Sequence, residues 1–185
     1  MSASRIVVLV VAAFLIGVLA YAVAFRSERT FSLAPGKQTS GDKEARVVAS
    51  DTKAEKVIDY LKISVEIPSN SIKLGELLHF NISVENVGSK PRELVFNSSQ
   101  KFDIRIEDKT GATVWTWSDG RMFAQMIEEV TLEPHETTSF TAMWPMQDKQ
   151  GNTVQPGNYK AFAKVVANGV KDKDVELGFT LKADD

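Results

Sequence analysis

From Leu61 onward, apolar and polar residues alternate. Leu61, Ile63, Val65 and Ile67 are separated by Lys62, Ser64 and Glu66, so an extended segment carries one apolar and one wet face. The same period recurs in Leu78, Phe80, Ile82 and Val84, in Phe102, Ile104 and Ile106, and in Val175, Leu177, Phe179 and Leu181. Shorter echoes lie at Leu94 with Phe96, Trp115 with Trp117, Phe140 with Ala142 and Trp144, and Tyr159 with Ala161, Ala163 and Val165. Turn-forming groups separate these runs: Asn86-Val-Gly88, Asp108-Lys-Thr-Gly111, Pro134-His135, Gly151-Asn152, Pro156-Gly157-Asn158 and Asn168-Gly169. The pattern predicts an all-β domain, an antiparallel sandwich of about seven to nine strands, over residues 57–185. Met122 to Leu132 breaks the period, because Glu128 falls on the face that otherwise holds Met126, Val130 and Leu132, and a bulge or short turn is expected there.

Ahead of the β region stands a different pattern. Ile6 to Phe25 is an unbroken apolar run between Arg5 and Arg26, about the length that crosses a bilayer core as one helix. It is longer than the apolar core of a typical signal peptide. A retained anchor is therefore expected, with residues 1–5 as a cytoplasmic stub and the C-terminal domain outside the cell membrane. Ala22-Val23-Ala24 also satisfies the small-x-small rule, so cleavage after Ala24 would release a secreted protein. Residues 26–56 are polar, with Pro35-Gly36 and Ser40-Gly41 and no apolar period, and read as a flexible linker. Such a chain spans on the order of 30 Å.

Composition narrows the function. Residues 1–56 carry 8 Lys and Arg against 5 Asp and Glu, and residues 57–185 carry 14 against 19, so no basic stripe points to nucleic acid. The absence of cysteine removes disulfides, thiol nucleophiles and thiolate metal ligands. No phosphate-cradling loop, dinucleotide fingerprint, zinc-binding helix or nucleophile elbow occurs. The two histidines, His79 on a polar strand face and His135 in a turn, read as solvated side chains rather than catalytic bases. Asp172, Asp174 and Glu176 alternate as a weak calcium site would need, but Asp174 and Glu176 also fit the wet face of the last strand, which outweighs it. The chain is read as a binding module rather than an enzyme, with no cofactor and no metal.

Tyr159, just after Pro156-Gly157, resembles the tyrosine corner of immunoglobulin-like sandwiches, in which the phenol bonds back to nearby backbone. Trp115 and Trp117 share one face and read as core, the alternative being that one of them forms an exposed recognition platform. A wider resemblance runs through Phe102-Asp-Ile-Arg-Ile, Gly111-x-x-Val-Trp115-x-Trp117-Ser118, Met122-Phe123-x-Gln125, Leu132-x-Pro134-x-Glu136 and Pro156-Gly157-x-Tyr159. Over roughly residues 60–180 the chain resembles the BsuPI intracellular proteinase inhibitor family. The resemblance implies an immunoglobulin-like domain, some of whose relatives restrain a subtilisin-type serine protease. His135 stands where relatives tend to carry glycine. The membrane run sits uneasily with an intracellular inhibitor, so the implied target here is an extracytoplasmic protease.

Two segments have the length for a protease-contact loop. Ser118 to Ala124 offers Arg121, Met122 and Phe123, the last two as apolar side chains for a specificity pocket, and Met146 to Gln155 is a longer polar connection. Phe162, between Lys160 and Lys164, is a further candidate contact. The alternative to inhibition is a noninhibitory cell-envelope module for adhesion, assembly or signalling.

Overall fold

The structure, a computed structural model, describes residues 47–170 and 173–183, all within the unit Lys43–Asp185. The apolar run Ile6–Phe25, with Ala22 and Ala24, the stub before it and linker residues 26–46 lie outside the described residues. Among those described, no helix is long and apolar enough to cross a membrane.

Twelve strands form among the described residues, more than the seven to nine expected: β1 Val47–Ser50, β2 Lys53–Ile58, β3 Leu61–Glu66, β4 Ser71–Lys73, β5 Leu78–Asn86, β6 Arg92–Phe96, β7 Phe102–Asp108, β8 Thr113–Thr116, β9 Glu128–Leu132, β10 Thr137–Trp144, β11 Gly157–Val165 and β12 Val175–Lys182. One sheet runs β1-β2-β3-β5-β10 and a second β4-β12-β11-β7-β8, while β6 and β9 pair separately. All pairings are antiparallel except β4 with β12.

The expected linker ends too late. Val47 to Lys56 belongs to the β1–β2 hairpin, and β2 pairs with β3 from Lys53↔Glu66 to Ile58↔Leu61. Only Ala54 of β2 is fully buried, so the strand carries almost no apolar period of its own, and pairing with β3 makes it a strand. That cover also buries Ser64, read from the sequence as wet. Flanked by Glu55 and Ser83 in register, its hydroxyl donates to Glu55 Oε1 at 3.2 Å.

The alternating apolar faces of the two five-stranded sheets share one core. Phe80 of β5 meets Phe179 of β12 edge-on, with centroids 6.2 Å apart, and Trp144, fully buried, packs against Trp115, Tyr159 and Phe179. The expected tyrosine corner forms: Tyr159 OH donates to Gln155 O at 2.6 Å. Burial first, and then the charge of Asp108, push the phenol above its ordinary value of 10.0. A pKa raised by folding means stability is full below the unfolded value and declines as pH rises through the folded one. Tyr159→Phe is therefore expected to lose about 1 kcal/mol at neutral pH. Its unfolding midpoint should also fall less than that of the parent above pH 10, and equal alkaline sensitivity would refute that cause.

Asn86, wholly buried at the end of β5, organises the corner where β5 gives way to β6 and β9 to β10. Its Nδ2 donates to Lys90 O and Leu132 O, each at 2.8 Å, and its Oδ1 accepts from Gly88 N at 3.0 Å. Its backbone N donates to Glu136 O and its carbonyl accepts from His135 N. Opposite it, Glu133 to Glu136 closes a turn in which Pro134 leads and His135 takes φ 67°, with Glu136 N donating to Glu133 O at 2.9 Å. A side chain in that region is strained. His135→Gly is expected to raise stability by roughly 0.5–1 kcal/mol, as a shift in denaturation midpoint.

Candidate functional site

The exit from β8 is fastened before the chain leaves the sheet. Trp117 N donates to Ile104 O at 2.8 Å, and Asp103 on β7 grips the next residue twice: Oδ1 accepts from Ser118 N at 3.1 Å and Oδ2 from Ser118 Oγ at 2.8 Å. A turn follows, with Arg121 N donating to Ser118 O and Gly120 at φ 73°, a conformation glycine takes without strain. From Arg121 to Ile127 the chain joins no strand until β9 begins at Glu128. The disturbance expected between Met122 and Leu132 is thus an open loop followed by a short strand. Glu128 is half-buried there, 2.6 Å from Lys101 Nζ.

Trp117 is the platform of this loop. Trp115 and Trp117 are both partly buried and pack against the core from its margin, since β8 is the edge strand of its sheet. One side of Trp117 meets the core through Phe102, at a ring separation of 4.3 Å, and Phe102 in turn stacks on Phe140. The loop folds back onto the same indole: the Arg121 guanidinium lies 4.4 Å from its centroid, Arg121 Nε donates to Trp117 O at 2.7 Å, and the Phe123 ring packs against it, tilted by 30°, at 5.8 Å. Beyond Phe123, both backbone groups of Ala124 are tied to Ser99, with Ala124 N donating to Ser99 Oγ and Ser99 N to Ala124 O, each at 2.9 Å. Between these fixed points Met122 is 99% exposed.

The three predicted contact residues therefore divide. Met122 is presented, whereas Arg121 and Phe123 hold the presentation in place. The other candidate segment is a rigid turn at its root. Met146 is buried, Val154 N donates to Met146 O, and Asp148 Oδ1 accepts from Gln150 N and Asn152 N. Lys149 at its tip lies 3.5 Å from Asp119, which joins the two segments. Asp108-Lys-Thr-Gly-Ala-Thr-Val and Asp148-Lys-Gln-Gly-Asn-Thr-Val form the same carboxylate-capped turn, a repeat visible in the sequence. Ser99 and Asp103 gave no such signal, since a serine near a turn and an aspartate on a wet strand face are ordinary.

The remaining candidates sit elsewhere. His79 and His135 are both exposed, as expected. Phe162 borders a concavity of about 780 Å³ over β11 and β12, where the Arg105 guanidinium covers its ring at 4.6 Å. Glu176 pairs there with Lys160 at 2.6 Å, and Asp174 lies 3.8 Å from Arg105; Asp172 is outside the described residues.

The family described as BsuPI, intracellular proteinase inhibitor, matches residues 65–170, more than half of the chain. The chain belongs to this family. The BsuPI match runs from β3 past β11 and contains the whole Trp117 loop with Ser99 and Asp103. No curated protein matches the chain. Among solved structures, an alkylpurine DNA glycosylase of Pseudomonas fluorescens, AlkC, is 17% identical with a TM-score of 0.42 over 67% of this chain and 31% of its own. A β-glucosidase of Listeria innocua is 16% identical with a TM-score of 0.38 over 68% and 16%, and a CARDB domain from Pyrococcus furiosus 16% identical with 0.32 over 64% and 87%. The chain thus spans under a third of the first two.

Proposed function

We propose that this BsuPI domain inhibits a subtilisin-type serine protease outside the cytoplasm and engages it through Ser118–Ala124. Membership in a proteinase inhibitor family supplies the kind of partner, a protein. The observation that carries the choice of loop is the clamping of Arg121, Phe123 and Ala124 around an almost fully exposed Met122. A substrate-like inhibitor needs this combination, because a segment already held in its bound form loses little freedom on docking. The apolar run Ile6–Phe25 has the length of a bilayer span and is the proposed anchor, which puts a cytosolic protease out of reach.

Titrating the full chain, solubilised in detergent, against subtilisin is expected to abolish activity at a near-stoichiometric ratio. Steady hydrolysis of the domain without loss of protease activity would overturn the reading. Fractionation with N-terminal sequencing checks the anchor: the expected product is membrane-bound and begins at the initiating end, whereas a start at Phe25 would mean cleavage after Ala24.

A further inference from the structure

We infer that Met122 is the side chain that enters the protease's primary specificity pocket and that Met122–Phe123 is the bond offered to its nucleophile. This rests on the inhibitory reading above. The target is thereby a protease whose pocket takes a long, unbranched apolar side chain.

The neighbours of Met122 in sequence are each held by Trp117, Arg121 through its guanidinium and Nε and Phe123 through its ring, and only the residue between them is released to 99% exposure. Three other exposed apolar side chains among the described residues lack this setting. Met126 and Ile127, 50% and 71% exposed, follow the Ala124–Ser99 tie, and Ile127 is branched at Cβ. Met143 lies within β10, where its backbone belongs to a ladder with β5. Methionine itself suits a deep apolar slot, being unbranched and polarisable.

The clamp also accounts for inhibition in place of cleavage. Attack of a serine hydroxyl on the Met122 carbonyl breaks the C–N bond, forms an ester to the enzyme and leaves Phe123 with a free amine that has taken the serine proton. In an ordinary substrate that amine departs and water attacks the ester. Here the Phe123 ring remains packed against Trp117 and Ala124 remains bonded to Ser99, so the amine stays at the ester. Its attack reforms the peptide bond and returns the proton to the serine oxygen. An intramolecular nucleophile held in place outcompetes water through its effective concentration.

The test compares the full-length chain with Met122→Lys and, as a control, Ile127→Lys, against subtilisin and trypsin. Met122→Lys is expected to weaken inhibition of subtilisin at least tenfold and to create stoichiometric inhibition of trypsin, while Ile127→Lys behaves as the parent. After prolonged incubation, the nicked fraction should show a new N-terminus at Phe123. If Met122→Lys inhibits subtilisin as the parent does, or if the new N-terminus is Met122, the assignment of Met122 falls and the inhibitory reading stands. If neither parent nor variant inhibits either protease, both fall.

Discussion

Asn86→Ala is expected to lower stability by roughly 2–4 kcal/mol, through orphaned partners more than through lost volume. The amide answers two carbonyls, Lys90 O and Leu132 O, and one amide N–H, that of Gly88, and alanine leaves all three without this partner. Asn86→Asp separates this account from a simple packing loss. An ionised carboxylate keeps the bond from Gly88 N but turns its other oxygen toward two carbonyl oxygens in a buried site, where the negative charge is both repelled and desolvated. Asn86→Asp should therefore be less stable than Asn86→Ala at pH 7. Burial against carbonyls raises a carboxyl's folded pKa, so its stability is regained as pH falls and the protonated acid donates to one of them. Urea midpoints at pH 7 and pH 5 measure this, and an Asn86→Asp midpoint indifferent to pH would reject it.

How much of this was legible depended on where the information lay. The strands at Leu61, Leu78, Phe102 and Val175 declare themselves, because each sends alternate residues into the common core, and the alternation records that face. β2 lies next to the edge of its sheet and buries only Ala54 fully, so its residues show charge where a core strand shows period. Lys53 and Glu55, 2.6 Å apart, looked like tether and are a strand's solvated face. The site was half legible. Apolar residues in a loop, Met122 and Phe123, were visible as a candidate. That one is presented and the other is a brace depends on Trp117, and Trp117 looked like core because an edge strand's inward residue and a central strand's have the same sequence signature.

Trp117→Leu should turn the inhibitor toward a substrate. Leucine preserves apolar contact with Phe102 and so most of the packing beneath, while removing the aromatic face that receives the Arg121 guanidinium and the Phe123 ring. Stability should fall by about 1–2 kcal/mol, well short of unfolding a domain of ordinary stability. The loop would still be fixed at Ser118 by Asp103 and at Ala124 by Ser99, but the stretch between them would regain freedom that docking must then remove. Ordering two long side chains and their backbone at binding costs about 3 kcal/mol, which corresponds to roughly a hundredfold weaker inhibition. The Phe123 amine would also leave the ester sooner, so hydrolysis between Met122 and Phe123 should accelerate as inhibition weakens. Inhibition constants and cleavage rates measured together decide the matter: weaker binding with unchanged cleavage would mean that Trp117 only shapes the contact surface, whereas the paired change expected here makes it the brace that keeps an offered bond from being consumed.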